Sequence, residues 1–127
     1  MSTAMAATVL VVDDSRAIRQ QVGDALATAG YSILEAEDGV QGLLRISEQP
    51  DIAMVICDIN MPHMNGLEML AKLKADPSNA ALPVLMLTTE GKADLIQQAK
   101  RSGAKGWIVK PFKVDQLVAA VRKIVGR

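Results

Sequence analysis

Short, largely aliphatic runs alternate along the chain with segments whose apolar positions recur every three or four residues. The runs lie at residues 9–12, 32–35, 52–57, 84–87 and 107–109. Those at 9–12, 52–57 and 84–87 are continuously apolar, the pattern of strands buried on both faces of a parallel sheet. Between the runs, Ile18, Val22, Ala25, Leu26 and Ala29 mark one face of a first helix, which Gly30 closes. Val40, Leu43 and Leu44 mark a second, with Asp38 placed to cap its start and Pro50 beyond its end. Leu67, Leu70 and Leu73 mark a third that stops near Asp76-Pro77, and Leu95, Ile96 and Ala99 a fourth that closes near Gly103. Leu117, Val118, Val121, Ile124 and Val125 mark the last. Strict alternation of five strands and five helices predicts an α/β fold, a single (βα)5 doubly wound domain on a parallel five-stranded sheet with right-handed crossovers. Residues 1–7 read as a loose tail, and 8–127 as the domain.

Composition narrows this picture. Half of the 127 residues are hydrophobic, yet Tyr31, Trp107 and Phe112 are the only aromatics, so the single core is aliphatic. No apolar run is long enough for a transmembrane helix. The first residues lack a cationic segment and run into Asp13-Asp14, which argues against a secretory signal. Cys57 is alone, so disulfides contribute nothing. The expectation is a soluble, cytoplasmic monomer with no membrane insertion. Net charge is zero but unevenly spread: residues 1–64 hold three Arg and no Lys against nine Asp and Glu, and the balance reverses beyond. An acidic site in one place and a basic surface elsewhere would produce this asymmetry.

In a doubly wound sheet, ligands bind beyond the carboxyl ends of the strands, where strand order reverses. The polar residues ending each run therefore belong together: Asp13-Asp14, Asp58, Thr88 and Lys110. The second run ends in Glu35-Ala36-Glu37, which has no counterpart in this set. Its strand is best placed at the edge, giving the order 2-1-3-4-5. Three converging carboxylates repel one another. A hard divalent cation and Lys110 together would relieve that repulsion. Mg2+, with Mn2+ as an alternative, suits an all-oxygen donor set. Without a Cys or His cluster the site is not one for zinc. His63, the only histidine, is placed on a loop as a solvated residue.

Four stretches, VLVVDDS at 9–15, ICDINMPHMNG at 56–66, LTTEG at 87–91 and GWIVKPF at 106–112, resemble the receiver domains of bacterial two-component response regulators. The resemblance spans residues 8–126 and is nearest to the stand-alone, chemotaxis-type (CheY-like) members, whose fold is flavodoxin-like. It implies that Asp58 is the phosphoacceptor, attacking the phosphorus of a phosphohistidine on a partner kinase or phosphotransfer protein, or of a small phosphodonor. It implies that Asp14, Asp58 and the backbone carbonyl of Asn60 hold Mg2+, with Asp13 helping through a water. Lys110 would offset charge on the phosphoryl oxygens, and Thr88 would donate its hydroxyl to one of them. Lys110-Pro111 resembles the family's cis peptide. Asn60 and Glu90 stand where the family tunes removal of the phosphoryl group by water.

In the family, an aromatic residue on the fifth strand turns inward behind the moving threonine. Here that residue is Trp107, where chemotaxis regulators often carry Tyr, and its N–H wants a partner when buried. The implied output surface is the fourth helix, fifth strand and fifth helix, in or beside which Lys92, Lys100, Arg101, Lys105, Lys113, Arg122 and Lys123 suit an acidic protein partner. Zero net charge and few aromatics argue against nucleic acid. The resulting expectation is a phosphorylatable switch, not an enzyme on external substrates, that signals by protein binding in chemotaxis-type pathways. A constitutive or phosphorelay binding module is the alternative; a degenerate, constitutive receiver predicts a missing acid, Thr or Lys, and none is missing. An aspartyl-phosphate hydrolase fits less well, since Asn60 stands where it needs a second acid.

Overall fold

The computed structural model describes residues 6–126, so residues 1–5 of the expected tail lie outside the described residues. Strands β1 (Thr8–Val12), β2 (Ser32–Ala36), β3 (Ile52–Cys57), β4 (Val84–Thr88) and β5 (Gly106–Val109) match the expected runs to within a residue at each end. Helices α1 (Arg16–Thr28), α2 (Gly39–Glu48), α3 (Gly66–Ala75), α4 (Ala93–Arg101) and α5 (Val114–Val125) follow them in turn. A 3-10 turn at Pro77–Asn79 was not announced by the hydrophobic pattern. No described helix is long and apolar enough to cross a membrane.

The five strands are parallel in the order β2-β1-β3-β4-β5, as expected. The chain steps from β1 outward to the edge at β2, then returns to β3 on the other side of β1. The helices that follow β1 and β3 consequently leave on opposite faces, opening a crevice above the ends of those two strands. Each inner strand is covered on both sides, which is why it reads as unbroken aliphatic sequence. Val22 and Leu26 of α1 and Leu117 and Val121 of α5 pack on Val9, Val11, Met54, Ile56, Leu85, Leu87 and Ile108. Met69, Leu70 and Leu73 of α3, Ile46 of α2 and Ala99 of α4 pack on Leu10, Val12, Val55, Cys57, Val84 and Met86. Burial of each large side chain stabilises the fold by roughly 1.5–3 kcal/mol, so the sheet register is strongly specified.

Local signals set the helix starts nearest the crevice. The Ser15 hydroxyl accepts from Ile18 N at 3.3 Å, and the Asp38 carboxylate accepts from Gln41 N at 2.9 Å. Asn65 and Glu68 form a reciprocal capping box at 2.8 and 3.0 Å. By contrast α4 and α5 start at Lys92 and Lys113 with no side-chain cap. Gly66 is required at the start of α3, because a Cβ there would collide with the Asp58 carbonyl. Gly30, at φ +102°, ends α1 and lets Tyr31 N reach Leu26 O at 3.0 Å.

Candidate functional site

Asp13 and Asp58 are the first residues past β1 and β3, and strand pairing runs on into both. Asp13 N donates to Ala36 O at 3.1 Å, and Asp58 N donates to Val12 O at 3.0 Å. Asp13 is fixed at its other polar atoms as well. Its Oδ1 accepts from Ser15 N at 2.9 Å, its Oδ2 from Lys110 Nζ at 2.7 Å, and its carbonyl from Arg19 Nη1 at 2.6 Å. Asp58 Oδ1 accepts from Ile59 N at 2.7 Å, while its Oδ2 faces Lys110 Nζ at 3.3 Å. One ammonium thus bridges two carboxylates that come from neighbouring strands. Asp13 and Asp58 are buried and Asp14 is exposed, with one carboxylate oxygen of each of the three within 4.8 Å of the others.

Burial acts most strongly on Asp13 and lifts its carboxyl above the usual range, although Lys110 and the Ser15 N–H pull the other way. The Lys110 ammonium also loses solvation, but its bond to Asp13 and the charges of Asp13 and Asp58 outweigh that loss and hold its pKa above the ordinary value. Lys110 stays charged. Cys57, next to Asp58, is pushed far upward by burial and by the Asp58 and Asp13 charges, and its Sγ faces Met69 Sδ in the core at 3.8 Å. The all-oxygen set of three acids in one crevice, Asp13, Asp14 and Asp58, fits a hard divalent cation.

The β4 and β5 side is built differently. Thr88 ends β4 and is fully buried, and its hydroxyl accepts from Glu90 N at 3.4 Å. Trp107, in β5, donates its indole N–H to the Glu90 carbonyl at 2.9 Å. The Trp107 N–H thereby has the partner that burial demands, and it ties β5 to the loop after Thr88. The Lys110-Pro111 peptide is cis. Asn60 is exposed in the β3–α3 loop, Glu90 is half-buried, and Met61 packs beneath the loop against the core.

His63 lies on the β3–α3 loop and is largely solvated, as expected, and it also has a specific partner. Its side chain is 73% exposed, but Nδ1 lies 2.9 Å from Asp38 Oδ2. Its φ of +66° and the Gly39 N to Met64 O bond of 3.2 Å bring the β3–α3 loop onto the start of α2. The Asp38 carboxyl is held below the usual range, first by Gln41 N–H and then by His63. Solvation and a specific bond coexist here because only one ring nitrogen faces the protein.

Residues 9–122 match the family described as the response regulator receiver domain. The chain belongs to that family. This receiver is 40% identical over 119 residues to the chemotaxis protein CheY1 of Helicobacter pylori, covering 92% of this chain and 95% of that protein. Among solved structures it is similar to the chemotaxis protein CheY4 of Vibrio cholerae, with a TM-score of 0.88, 38% identity, and coverage of 94% and 98% of the two chains. A complex from Borrelia burgdorferi that contains CheX, CheY, BeF3 and Mg2+ matches with a TM-score of 0.87 at 30% identity, covering 93% of this chain and 88% of that one. The receiver is of the chemotaxis type, a class generally without action on external substrates.

One residue at the receiver's crevice was missed from sequence. Arg19 is buried on α1 and bonds both the Asp13 carbonyl and Glu35 Oε1, the latter at 2.9 Å. Strand β2 therefore reaches the site through Arg19, although its own acids stay outside the cluster. A signal was present: Arg19, Val22 and Leu26 fall at i, i+3 and i+7, so Arg19 occupies a core-facing position of the helix.

Proposed function

We propose that residues 8–127 act as a phosphorylatable switch in chemotaxis-type signalling, with Asp58 as the phosphoacceptor. The observation that carries this reading is Lys110 Nζ lying 3.3 Å from Asp58 Oδ2 and 2.7 Å from Asp13 Oδ2, with Asp14 in the same cluster. A carboxylate that must accept a phosphoryl group needs a fixed position and positive charge beside it, and little other chemistry from the protein. In the transfer, an Asp58 oxygen attacks phosphorus, the bond to the donor imidazole breaks, and the imidazole departs on the kinase or phosphotransfer partner. Lys110 stays protonated throughout and compensates negative charge on the transferring oxygens. Mg2+, or Mn2+, would be held by Asp14, Asp58 and the Asn60 carbonyl, with Asp13 acting through a water. When bound, it supplies further positive charge for those oxygens. Water later removes the group from Asp58, at a rate to which the Asn60 and Glu90 side chains contribute.

A phosphoryl group brings about −1.5 to −2 charges and can gain one to three bonds of about 1.5–3 kcal/mol each. Moving a population from 1:99 to 99:1 takes about 5.5 kcal/mol, so two or three bonds suffice. Thr88 is the donor placed to respond, and the Glu90–Trp107 bond would carry its shift to β5. The outcome is read by a protein partner on the α4-β5-α5 face. The BeF3 and Mg2+ in the Borrelia complex, where CheX joins that CheY, support a receiver recognised by proteins in a phosphoryl-like form.

Acetyl phosphate with Mg2+, followed by intact-mass measurement, tests the acceptor. Wild type should gain one phosphoryl group and Asp58→Asn none. A wild type that stays unmodified and also fails to respond to beryllofluoride would overturn the reading.

A further inference from the structure

Arg19 is a charged side chain on the core-facing stripe of α1, and phosphoryl transfer as described makes no use of it. Its side chain is only 10% exposed, an expensive place for a charge unless its donors are satisfied. Nε bonds Glu35 Oε1 at 2.9 Å on the edge strand, and Nη1 bonds the Asp13 carbonyl at 2.6 Å. That carbonyl belongs to the peptide joining the two acids. Any rotation of this peptide swings the backbone of Asp14 and, with it, the exposed carboxylate. A guanidinium is a rigid planar fork, so bonding β2 with one nitrogen and the peptide with another makes it a brace.

We propose that Arg19, oriented by Glu35, is a positioning residue for metal binding: it locks the Asp13–Asp14 peptide so that the Asp14 carboxylate stays beside Asp13 and Asp58. The proposal rests on the metal-binding reading above. Charge and bracing have opposite consequences here, which makes the direction of the effect decisive. As a nearby positive charge Arg19 repels a cation, so a purely electrostatic role means tighter binding when it is removed. As a brace, its removal weakens binding.

The test titrates Mn2+ alone and follows the electron paramagnetic resonance signal of the free ion, with a thermal melt of each variant. Arg19→Gln should bind Mn2+ about tenfold more weakly than wild type, the loss typical of a group that supports a metal ligand. Arg19→Lys, which keeps the charge and some reach, should recover part of that loss. Unchanged or tighter binding by Arg19→Gln overturns the proposal. Should that variant fail to fold, Glu35→Ala and Glu35→Gln decide the matter, since Glu35 is half exposed and both remove the same charge. Only Gln can still accept from Arg19 Nε, so the Ala variant should bind about threefold more weakly than the Gln variant. Equal affinities overturn the brace. A wild type that binds no Mn2+ overturns the metal reading itself, a result distinguishable from all of these.

Discussion

Asp13 has a partner at every polar atom, whereas the Thr88 hydroxyl, two strands away, accepts a single long bond of 3.4 Å. The same contrast runs through the elements around them. On the β1–β3 side, the helix starts carry side-chain caps, Gly66 seats α3 against the Asp58 carbonyl, and His63 and Asp38 join the loop to α2. On the β4–β5 side, α4 has no side-chain cap, its one buried residue is Ala99, and the Trp107–Glu90 bond is the tie between β5 and the loop. A group-transfer acceptor must not move, because misplacement costs rate. A signalling element must move at small cost, and such elements come from the weakly held parts of a fold. Under the proposed function, the two sides of one crevice serve opposite mechanical needs.

The largest expected effect comes from breaking the held side at its centre. Lys110→Ala leaves Asp13 and Asp58 facing each other without a cation and should cost about 3 kcal/mol in urea unfolding at pH 7. In wild type the raised pKa of Lys110 means its contribution is complete below the unfolded pKa of about 10.4 and is lost as pH rises through the higher folded value. The gap between wild type and variant should therefore close in strong alkali. A cost near zero at pH 7 would mean that this side is not braced by the lysine.

Asp38→Ala removes both the α2 cap and the His63 bond and should cost about 1.5 kcal/mol at pH 7. Because the folded carboxyl is depressed, its stabilisation is present above the unfolded pKa of about 3.9 and disappears as pH falls through the folded value. Urea midpoints of wild type and variant should converge once pH falls below the depressed folded value.

Trp107→Phe sharpens the comparison from the other side. It removes the N–H to Glu90 and should cost about 1 kcal/mol. Amide exchange should accelerate in residues 89–101 and stay unchanged at residues 13–15. Equal acceleration at both places would show that the two sides are one mechanical unit.

Asp14→Asn should have the smallest effect on the metal-free protein, raising stability by about 0.5 kcal/mol through relief of carboxylate repulsion. Saturating Mg2+ should raise the melting temperature of wild type and leave that of the variant nearly unchanged, and chelation should reverse the difference.

Much of this organisation could be read along the chain. Strand and helix periods differ, so five strands and five helices were evident from apolar spacing, and the acids, Thr88 and Lys110 stood at strand ends where the eye could collect them. Strand order followed from asking which strand had nothing to offer the crevice. The 3-10 turn at Pro77–Asn79 was not visible, because three residues carry no period.

Periodicity was thus enough to establish the fold class, since strands and helices are repeats, and the rule that ligands sit beyond the strand ends gave the sheet order and the acidic cluster. Which atoms meet across 97 residues from Asp13 to Lys110, or across 25 from Asp38 to His63, depends on rotamers and register that only the folded chain defines. The same holds for Arg19. Its place on an apolar helix face was written in the sequence, but its two partners come from β2 and from the backbone beyond β1, and only packing α1 against the sheet brings them within reach of one guanidinium.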